Sequence, residues 1–493
     1  MNSRPFPGNL SKLLDLCQER FPEREGVGTP EKMLSFEQYH DKVCRLAAGL
    51  RGLGLERQDR VLLSSLEPLG YATVSMAVFR LGAVLVPVNP RMGIYELAYI
   101  LSETRPRMLV CDAATLPTML KACELVEQAD PPVLITLDER LPSTPCVEEL
   151  CLSEPMTAIE EMKASDSAMI VFTAAMDGYP LGAQLTHGSL FSDSSAFAAQ
   201  SFREETVNAE TLFSLLPLFH SYGFTNGFLV PISAGVTCVL LGTSVRGRTV
   251  VDHMARYRPT QVISVPAIFH GLVKPLFESP DCRTTLRNLT SGGIGIPLKL
   301  LEVYHEKLGL TISEGYGLTE ASPVVTWNGL DRPPKFGTVG PPLSCCQVKI
   351  VDDKGAELPT GEVGEVLVKG DNLFSGYWNR PEQTQQAFLG SWFRTGDLGR
   401  LDEEQYLTLT GLRKEMINVF GLKAYPKEIE RLLNNHPDID TAYIRPEWHQ
   451  RYGEIVAGDI YLKPARTLTE KGFLEWCRAH ISPYKIPRAV RIH

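Results

Sequence analysis

The sequence of 493 residues has no Cys-x-x-Cys motif, no dense run of lysine and arginine, and no uninterrupted long apolar segment. Its 11 cysteines are scattered, which disfavours a disulfide framework or a zinc site. A net charge of −9 argues against nucleic-acid binding, which needs a basic face. The longest apolar stretch, Tyr71–Val88, is interrupted by Arg80, Gly82 and Pro87 and is a poor membrane span. The N-terminus has no secretion-signal pattern, so we expect a cytoplasmic protein.

Several common catalytic motifs are also missing. The sequence contains no HExxH, no GxSxG, no GxxxxGK[ST] and no kinase HRD. The segment SGGIGIPL (Ser291–Leu298) lacks the third glycine of a dinucleotide-binding fingerprint, and we interpret it as a tight turn between a strand and a helix.

The pattern of apolar residues predicts an α/β fold with mostly parallel strands. From about Phe336 onward, short strands separated by tight turns predict a small antiparallel or barrel-like unit. Helical periodicity returns near the C-terminus, which indicates a further α/β unit beginning near residues 411–415. The predicted strands are Val61–Ser64, Val84–Val88, Met108–Cys111, Val133–Leu137, Met169–Phe172, Val236–Leu241 and Gln261–Val265, and the predicted helices include Asp41–Leu53, Ile94–Ser102, Pro426–Asn434 and Thr469–His480.

Four segments carry residues suited to nucleotide chemistry. In SEGYGLTEASP (Ser313–Pro323) an aromatic ring flanked by glycines is followed by a hydroxyl and a carboxylate, which suit a planar ligand, a phosphate and Mg²⁺. In WFRTGDLGRLD (Trp392–Asp402) an acid in a turn can accept two ribose hydroxyls. The third segment, GLRKEMINVFGLKAYPKEIE (Gly411–Glu430), has a basic turn, a strand, a second glycine turn and a helix that begins at a proline. In the fourth, LPLFHSYGF (Leu216–Phe224), His220 lies amid apolar residues. Taken singly, each has an ordinary structural interpretation: a polar turn, a turn cap, a connection and a core histidine.

Together and in this order, the segments resemble the adenylate-forming superfamily, and within it the acyl-CoA synthetases. RLGAVLVPVNPRMGIYELAYIL, YGLTEASPVV, GEVGEVLVKGDNLFSGYWNRPEQT, WFRTGDLG, KEMINVFGLKAYPKEIE and SPYKIPRAV are similar to family signatures over essentially the whole chain. The resemblance implies an N-terminal part, residues 1–410, of two flavodoxin-like α/β subdomains plus a small β-barrel. It also implies a small, mobile α+β C-terminal domain, residues 411–493.

The resemblance further implies a reaction in two steps. A carboxylic acid reacts with ATP, in the presence of Mg²⁺, to give acyl-AMP and pyrophosphate, and the thiol of coenzyme A then displaces AMP. The first step depends on positioning and charge neutralisation. Fatty acid metabolism is one setting that the family implies.

The resemblance assigns roles residue by residue. Tyr316 would stack on adenine, Thr319 would contact phosphate, Glu320 would hold Mg²⁺ and Asp397 would bind the ribose. His220, together with Thr319 and Glu320, is counted among the candidate catalytic residues. Further nucleotide or CoA contacts are expected from Thr173, Gly178, Gly182, Gly315, Gly317, Arg413 and Gly421, the hinge is expected at Lys414, and the acyl pocket is expected from Phe219, His220, Gly292, Gly293 and Ile294.

The sequence departs from the family pattern at the phosphate loop. The family's T-S-G-T-T-G-x-P-K-G is here Thr173-Ala-Ala-Met-Asp-Gly-Tyr-Pro-Leu-Gly182, so that Asp177 replaces a threonine and Leu181 replaces the lysine. Leu412 stands where the family has a nucleotide-contacting arginine, and Arg413 is one place along. The family's C-terminal lysine would lie beyond His493. All three departures concern the adenylation step.

Three hypotheses follow. The first is an ATP-dependent carboxylic acid–CoA ligase with altered ATP handling. The second is a non-catalytic or half-catalytic homologue that binds AMP, acyl-adenylate or acyl-CoA, which Asp177 and Leu181 favour and the retained Glu320 and Asp397 disfavour. The third keeps adenylation but transfers the acyl group to a carrier protein.

Overall fold

The computed structural model describes residues 5–127, 130–173, 178–203, 205–242, 245, 247–329, 332, 334–412, 417–419, 422–449 and 452–493. Within this part of the chain, strands and helices alternate over the first 330 residues, as the sequence predicts.

The strands fall into two parallel-rich sheets, one antiparallel sheet and two small C-terminal sheets. They are β1 (Glu25–Thr29), β2 (Lys32–Ser35), β3 (Arg60–Ser64), β4 (Val84–Pro87), β5 (Met108–Cys111), β6 (Val133–Thr136), β7 (Ser167–Thr173), β8 (Leu181–Thr186), β9 (Thr211–Ser214), β10 (Thr237–Leu240), β11 (Gln261–Ser264), β12 (Asn288–Ser291), β13 (Ile312–Gly317), β14 (Val324–Trp327), β15 (Cys346–Val351), β16 (Gly364–Gly370), β17 (Phe388–Leu389), β18 (Trp392–Leu401), β19 (Leu407–Leu412), β20 (Ile417–Val419), β21 (Leu422–Ala424), β22 (Ile439–His449), β23 (Gly453–Leu462) and β24 (Ala489–Ile492).

The helices connect and cover these strands. They are α1 (Lys12–Arg20), α2 (Phe36–Gly52), α3 (Pro68–Arg80), α4 (Ile94–Thr104), α5 (Leu116–Glu124), α6 (Val147–Leu150), α7 (His187–Ser201), α8 (Ser221–Phe224), α9 (Val230–Ala234), α10 (Gly247–Tyr257), α11 (Pro266–Glu278), α12 (Leu298–Glu302), α13 (Pro381–Gln386), α14 (Pro426–Leu433) and α15 (Glu470–His480). A π-helical turn, Thr225–Leu229, joins α8 to α9.

The two large sheets form the predicted α/β subdomains. The first has the strand order β6-β5-β3-β4-β7-β8 and is parallel except for the hairpin of β7 and β8. The second has the order β14-β13-β12-β11-β9-β10-β1-β2 and is parallel from β13 to β1. Because the carboxyl ends of parallel strands lie at one edge of a sheet, the polar segments that follow β9, β12 and β13 lie at the same edge of the second sheet.

The short-strand region forms the predicted antiparallel unit, with β15, β16, β18 and β17 in order and β19 paired to β18. Strand β19 continues to Leu412, two residues past the predicted boundary at 410, and that boundary stays a prediction. Beyond it, β22, β23 and β24 pack with α14 and α15 into a separate C-terminal unit with its own apolar core.

Capping side chains account for where two of the helices begin. The helix predicted at Asp41–Leu53 begins earlier, at Phe36, because Ser35 and Gln38 form a capping box that satisfies the first backbone N–H groups. Thr469 caps α15 by accepting a hydrogen bond from the Gly472 N–H. Among the described residues, no helix is long and apolar enough to cross a membrane.

Candidate functional site

The structure brings Glu320 and Thr173 together, although 146 residues separate them in the sequence. The Glu320 Oε1 atom accepts a hydrogen bond from the Tyr377 hydroxyl at 2.9 Å and lies 3.5 Å from the Thr173 hydroxyl. The backbone of Glu320 is fixed as well, because its carbonyl accepts from the Phe374 N–H at 2.8 Å. One carboxylate is thus held beside the end of β7, where the phosphate loop begins.

Tyr316 and Asp397 form a second pair, between β13 and β18. The Tyr316 hydroxyl donates to Asp397 Oδ2 at 2.5 Å, and both residues are 9% exposed. Burial, aided by the negative charge of Asp397, raises the pKa of Tyr316 far above its usual range, so its hydroxyl stays a donor. Asp397 is further fixed because its N–H donates to the Thr395 hydroxyl at 3.0 Å. A planar ring and a carboxylate therefore occupy one rigid wall.

The glycines that flank Tyr316 allow close packing of β13 and β14. A Cβ atom on Gly317 would lie 2.1 Å from the Pro323 carbonyl oxygen, and one on Gly315 would lie 3.2 Å from the Thr326 carbonyl oxygen. Gly317 therefore serves the β13–β14 hairpin itself, a structural role that the sequence alone did not indicate.

His220 is exposed, so the alternative of a buried core histidine is wrong. The segment after β9 turns into α8, and the His220 side chain caps that helix by accepting from the Tyr222 N–H at 3.2 Å. Next to it, the Ser221 hydroxyl lies 3.4 Å from the Thr319 hydroxyl. His220 and Thr319 therefore belong to neighbouring segments of one site.

The acyl-pocket candidates fall into two groups. A Cβ atom on Gly292 would lie 3.0 Å from the Tyr222 ring, whose hydroxyl lies 3.5 Å from the Ser264 carbonyl oxygen. Gly293, with φ +86°, and Ile294 follow Gly292 in the same turn. Phe219 lines a cavity of about 110 Å³ together with residues of α3 and the two residues that follow β10, and the residues 292–294 are not among its lining residues. The structure therefore connects Gly292 to His220 through Tyr222, and Phe219 faces a different space.

The ends of the phosphate loop are well defined. Thr173 and Leu181 are paired across the β7–β8 hairpin, and Gly178 has φ +83°. Gly182 is tightly packed, because a Cβ atom there would lie 2.8 Å from the Ile170 side chain, and its carbonyl accepts from the Trp378 N–H at 2.7 Å. The middle of the loop, Ala174 to Asp177, lies outside the described residues, as do Arg413, Lys414 and Gly421.

The C-terminal unit contacts the loop directly. The Arg431 Nε atom, in α14, donates to the Gly178 carbonyl at 2.7 Å, and the guanidinium lies 4.4 Å from the centre of the Tyr179 ring. Tyr425, the residue before α14, lies close enough to Glu320 and Asp397 that their charges, after burial, raise its pKa. The first turn of α14 is therefore placed against the site.

Sequence reasoning missed four of these residues: Tyr222, Tyr377, Tyr425 and Arg431. Tyr377 lies in a segment that carries the family resemblance, but no pattern in the sequence indicates that its hydroxyl meets Glu320. Arg431 lies on the side of α14 opposite its buried apolar residues. Charged residues are expected on that polar side of any amphipathic helix, so the sequence gives no sign of a specific contact. Contacts between units distant in the chain are what the sequence does not reveal.

Comparison with known proteins agrees with this arrangement. Residues 15–378 match the model of the AMP-binding enzymes, and residues 428–493 match that of the AMP-binding enzyme C-terminal domain. The chain is 30% identical over 492 residues to the indoleacetate–CoA ligase of Aromatoleum aromaticum strain EbN1, covering 98% of this chain and 93% of that protein.

Two solved structures are similar throughout. A long-chain-fatty-acid-CoA ligase from Archaeoglobus fulgidus is 25% identical with a TM-score of 0.82, covering 100% of this chain and 98% of that one. ATP-bound MatB from Rhodopseudomonas palustris is 25% identical with a TM-score of 0.75, covering 98% and 95%. The fold, the order of the motifs and these matches lead to one conclusion: the chain belongs to the AMP-binding enzymes, the adenylate-forming family, in its acyl-CoA synthetase branch.

Proposed function

We propose that the protein is an AMP-forming carboxylic acid–CoA ligase that uses ATP, Mg²⁺ and coenzyme A. The observation that carries the proposal is the Glu320 carboxylate, held by Tyr377 beside Thr173 and close to the Tyr316–Asp397 pair. This set offers a hard oxygen ligand, an aromatic face and a polyol acceptor within one site. An adenine nucleotide with a metal-bound phosphate needs these three features.

The proposed roles follow from that chemistry. The Tyr316 ring stacks on adenine, Asp397 accepts the ribose hydroxyls, and the Thr319 hydroxyl contacts a phosphate. Glu320 is the protein ligand of Mg²⁺, which neutralises phosphate charge when bound. Among the described residues, no group of three His, Cys, Asp or Glu side chains could hold a metal unaided. A single carboxylate fits Mg²⁺, because this ion keeps substrate phosphates and water among its ligands.

For the acid, we propose a compact apolar acid, an aryl or medium-chain carboxylate. The Tyr222 ring already packs on Gly292, at the turn expected to form the pocket wall, and leaves less space there than a smaller side chain would. The relatives include both an indoleacetate ligase and a long-chain fatty acid ligase. The two kinds of acid differ in length, so we expect the size of the side chain at position 222 to determine which of them fits.

We also propose that this protein binds ATP more weakly than a family member with the complete phosphate loop would. Leu181 offers no charge where the family has lysine, and Asp177 adds a carboxylate to the loop. Two unit charges at 4 Å interact by about 4 kcal/mol at an effective dielectric of 20. A carboxylate that faces the β- and γ-phosphates would therefore cost more than the retained hydrogen bonds of Thr173 recover.

The test measures the two half-reactions separately. Pyrophosphate release is followed with ATP, Mg²⁺ and a panel of acids (indole-3-acetate, phenylacetate, octanoate and palmitate), and CoA thioester is then measured after CoA is added. Acid-dependent pyrophosphate release followed by thioester formation supports the ligase. Absence of both, with intact AMP binding by calorimetry, refutes it.

The second candidate is a homologue that binds AMP or acyl-adenylate without adenylating an acid, and the replaced loop residues Asp177 and Leu181 favour it. Calorimetry separates the two, because this candidate predicts AMP binding without ATP binding. Transfer to a carrier-protein thiol is tested by offering a phosphopantetheinylated carrier in place of CoA. A cytoplasmic location stays a prediction, which cell fractionation tests.

A further inference from the structure

A buried cluster of three charges joins the C-terminal unit to α4. The Lys485 Nζ atom lies 2.5 Å from Glu96 Oε1 and 2.6 Å from Glu428 Oε1. Their side chains are 4%, 2% and 0% exposed, respectively. Glu96 belongs to α4, whereas Lys485 and Glu428 belong to the C-terminal unit, so the cluster is complete only when the two parts are in contact. We call these three residues the triad.

The surfaces around the triad fit closely. Glu96 Oε2 accepts from the Ser482 N–H at 2.9 Å and from the Ser482 hydroxyl at 2.7 Å. The Tyr95 ring stacks on His480, with centroids 5.4 Å apart. Gly93 lies so near that a Cβ atom there would be 2.2 Å from the His480 carbonyl oxygen. The start of α4 is therefore a docking point with little tolerance for displacement.

Docking at this point sets the position of α14. Glu428 lies in the first turn of α14, three residues after Tyr425, and Arg431 of the same helix donates to the Gly178 carbonyl. Because Lys485 holds Glu428 and Glu96 at once, a shift at Glu96 would move α14 relative to the phosphate loop. The triad is thus linked to the candidate site through one short helix.

The triad has two carboxylates and one ammonium group. When the parts separate, Lys485 and Glu428 remain as a neutral pair, and Glu96 is free to meet water. Docking then buries an additional negative charge, which is costly unless it is neutralised. A proton on one carboxylate removes that cost.

Glu428 is the carboxylate that the geometry leaves less satisfied. Its Oε2 atom is buried and has no hydrogen-bond partner among the described residues, whereas Glu96 accepts from Ser482, from Lys485 and from the Gly93 N–H. Burial, together with Glu96, raises the pKa of Glu428 against the attraction of Lys485.

The pKa of Glu96 moves the other way. Burial opposes the change, but Lys485 and Ser482 lower the pKa of Glu96. Among the described residues, the other titratable or charged groups at this contact include Arg431, Tyr425, Tyr484 and His480, whose ring stacks on Tyr95 beside Glu96. Of these, Arg431 opposes the rise at Glu428. The proton therefore belongs on Glu428.

We propose that Lys485 is a positioning residue that docks α14 over the candidate site by bridging Glu96 and Glu428, and that docking takes up one proton. Between pH 4.5, the ordinary value for glutamate, and the raised pKa of docked Glu428, undocked Glu428 is ionised and docked Glu428 is protonated, so docking binds a proton. The docking constant then falls about tenfold per pH unit until the pH passes the raised pKa of docked Glu428. Below pH 4.5, docking instead releases a proton from Glu96 and weakens as the pH falls.

The first experiment measures docking without any substrate. Energy transfer is recorded between fluorescent residues introduced by genetic-code expansion at Leu152 and Lys471, which are 81% and 83% exposed on the two parts. From pH 5 to 9 we expect the wild-type docked fraction to fall, Glu428→Gln to stay docked without pH dependence, and Glu96→Gln to dock at least tenfold more weakly at pH 5. Glu447→Gln, an exposed glutamate of the same unit, is the control and should behave as wild type. A wild-type docked fraction that does not change with pH, or an unchanged Glu96→Gln, overturns the proposal.

The second experiment rests on the proposed function and uses preformed acyl-adenylate with CoA. The ratio of thioester formation by Glu428→Gln to that by wild type should rise with pH, because wild type undocks as the pH rises and Glu428→Gln does not. The CoA thiol titrates equally in both reactions, so its effect cancels from the ratio. A ratio that stays constant while energy transfer changes refutes the positioning role. Absence of thioester from every protein, wild type included, refutes the proposed function and leaves the docking result intact.

Discussion

Removal of one hydroxyl group tests the proposed Mg²⁺ site. In Tyr377→Phe, Glu320 loses the hydrogen bond of 2.9 Å that fixes its Oε1 atom, and the ring still fills its place against Phe374, 4.9 Å away. Groups that orient a metal-binding carboxylate typically contribute 10- to 100-fold to metal affinity. That range corresponds to about 1.4–2.7 kcal/mol, similar to the 1.5–3 kcal/mol of a hydrogen bond to a charged group.

The assay is acid-dependent pyrophosphate release at saturating ATP and acid, with free Mg²⁺ varied. We expect the half-saturating Mg²⁺ concentration to rise about 10- to 100-fold in Tyr377→Phe. Tyr304→Phe is the matched control, because its buried hydroxyl donates to the Phe269 carbonyl at 2.7 Å within an apolar cluster that does not include Tyr377. Tyr304→Phe should lose about 1 kcal/mol of unfolding free energy, and Tyr377→Phe about 1.5–3 kcal/mol because its partner is a carboxylate. An equal Mg²⁺ requirement in the two variants would refute the role of Tyr377.

Three further predictions concern the ribose contact, the acyl pocket and acid stability. Asp397→Asn should weaken AMP binding by about 1.5–3 kcal/mol in calorimetry, since it removes charge-assisted hydrogen bonds. Tyr222→Ala should raise kcat/KM for palmitate relative to indole-3-acetate, because it clears space beside Gly292. Burial lowers the pKa of His187 to about 4, below its ordinary value of 6.5. As the pH falls below 6.5, His187 is protonated in the unfolded chain before it is protonated in the folded one, so the folded state loses stability. Relative to His187→Gln, the wild-type free energy of unfolding should fall by about 3 kcal/mol between pH 7 and 4 in urea titrations.

Much of the fold is readable from the sequence because burial in parallel sheets produces continuous apolar runs. The predicted strands at Met108–Cys111 and Val133–Leu137 appear as β5 and β6 with nearly the same bounds. The helix predicted at Pro426–Asn434 appears as α14, and its apolar residues Ile429, Leu432 and Leu433 are fully buried on one face. Local periodicity suffices for such elements because each depends on neighbours within one turn or one strand.

The candidate site could be predicted in its parts but not in its connections. Tyr316, Glu320 and Asp397 carry recognisable chemistry within short motifs. The hydroxyl of Tyr377 on Glu320 joins residues 57 apart, and the contact of Arg431 with Gly178 joins residues 253 apart. Such contacts depend on how sheets and units pack, which the periodicity of one segment does not encode. The exposure of His220 has the same origin: its neighbours in sequence are apolar, and only the packing of the whole chain leaves it at the surface.

The positive charge near the phosphate loop differs from that of the family in its source. The sequence removes a cation from the loop by placing Leu181 where the family has lysine, and the structure supplies another from the C-terminal unit by placing Arg431 on Gly178. The first cation would be present in every arrangement of the two parts, whereas the second reaches the loop through the docking that the triad controls. It follows that, in this chain, the electrostatics of the phosphate loop depend on the position of the C-terminal unit.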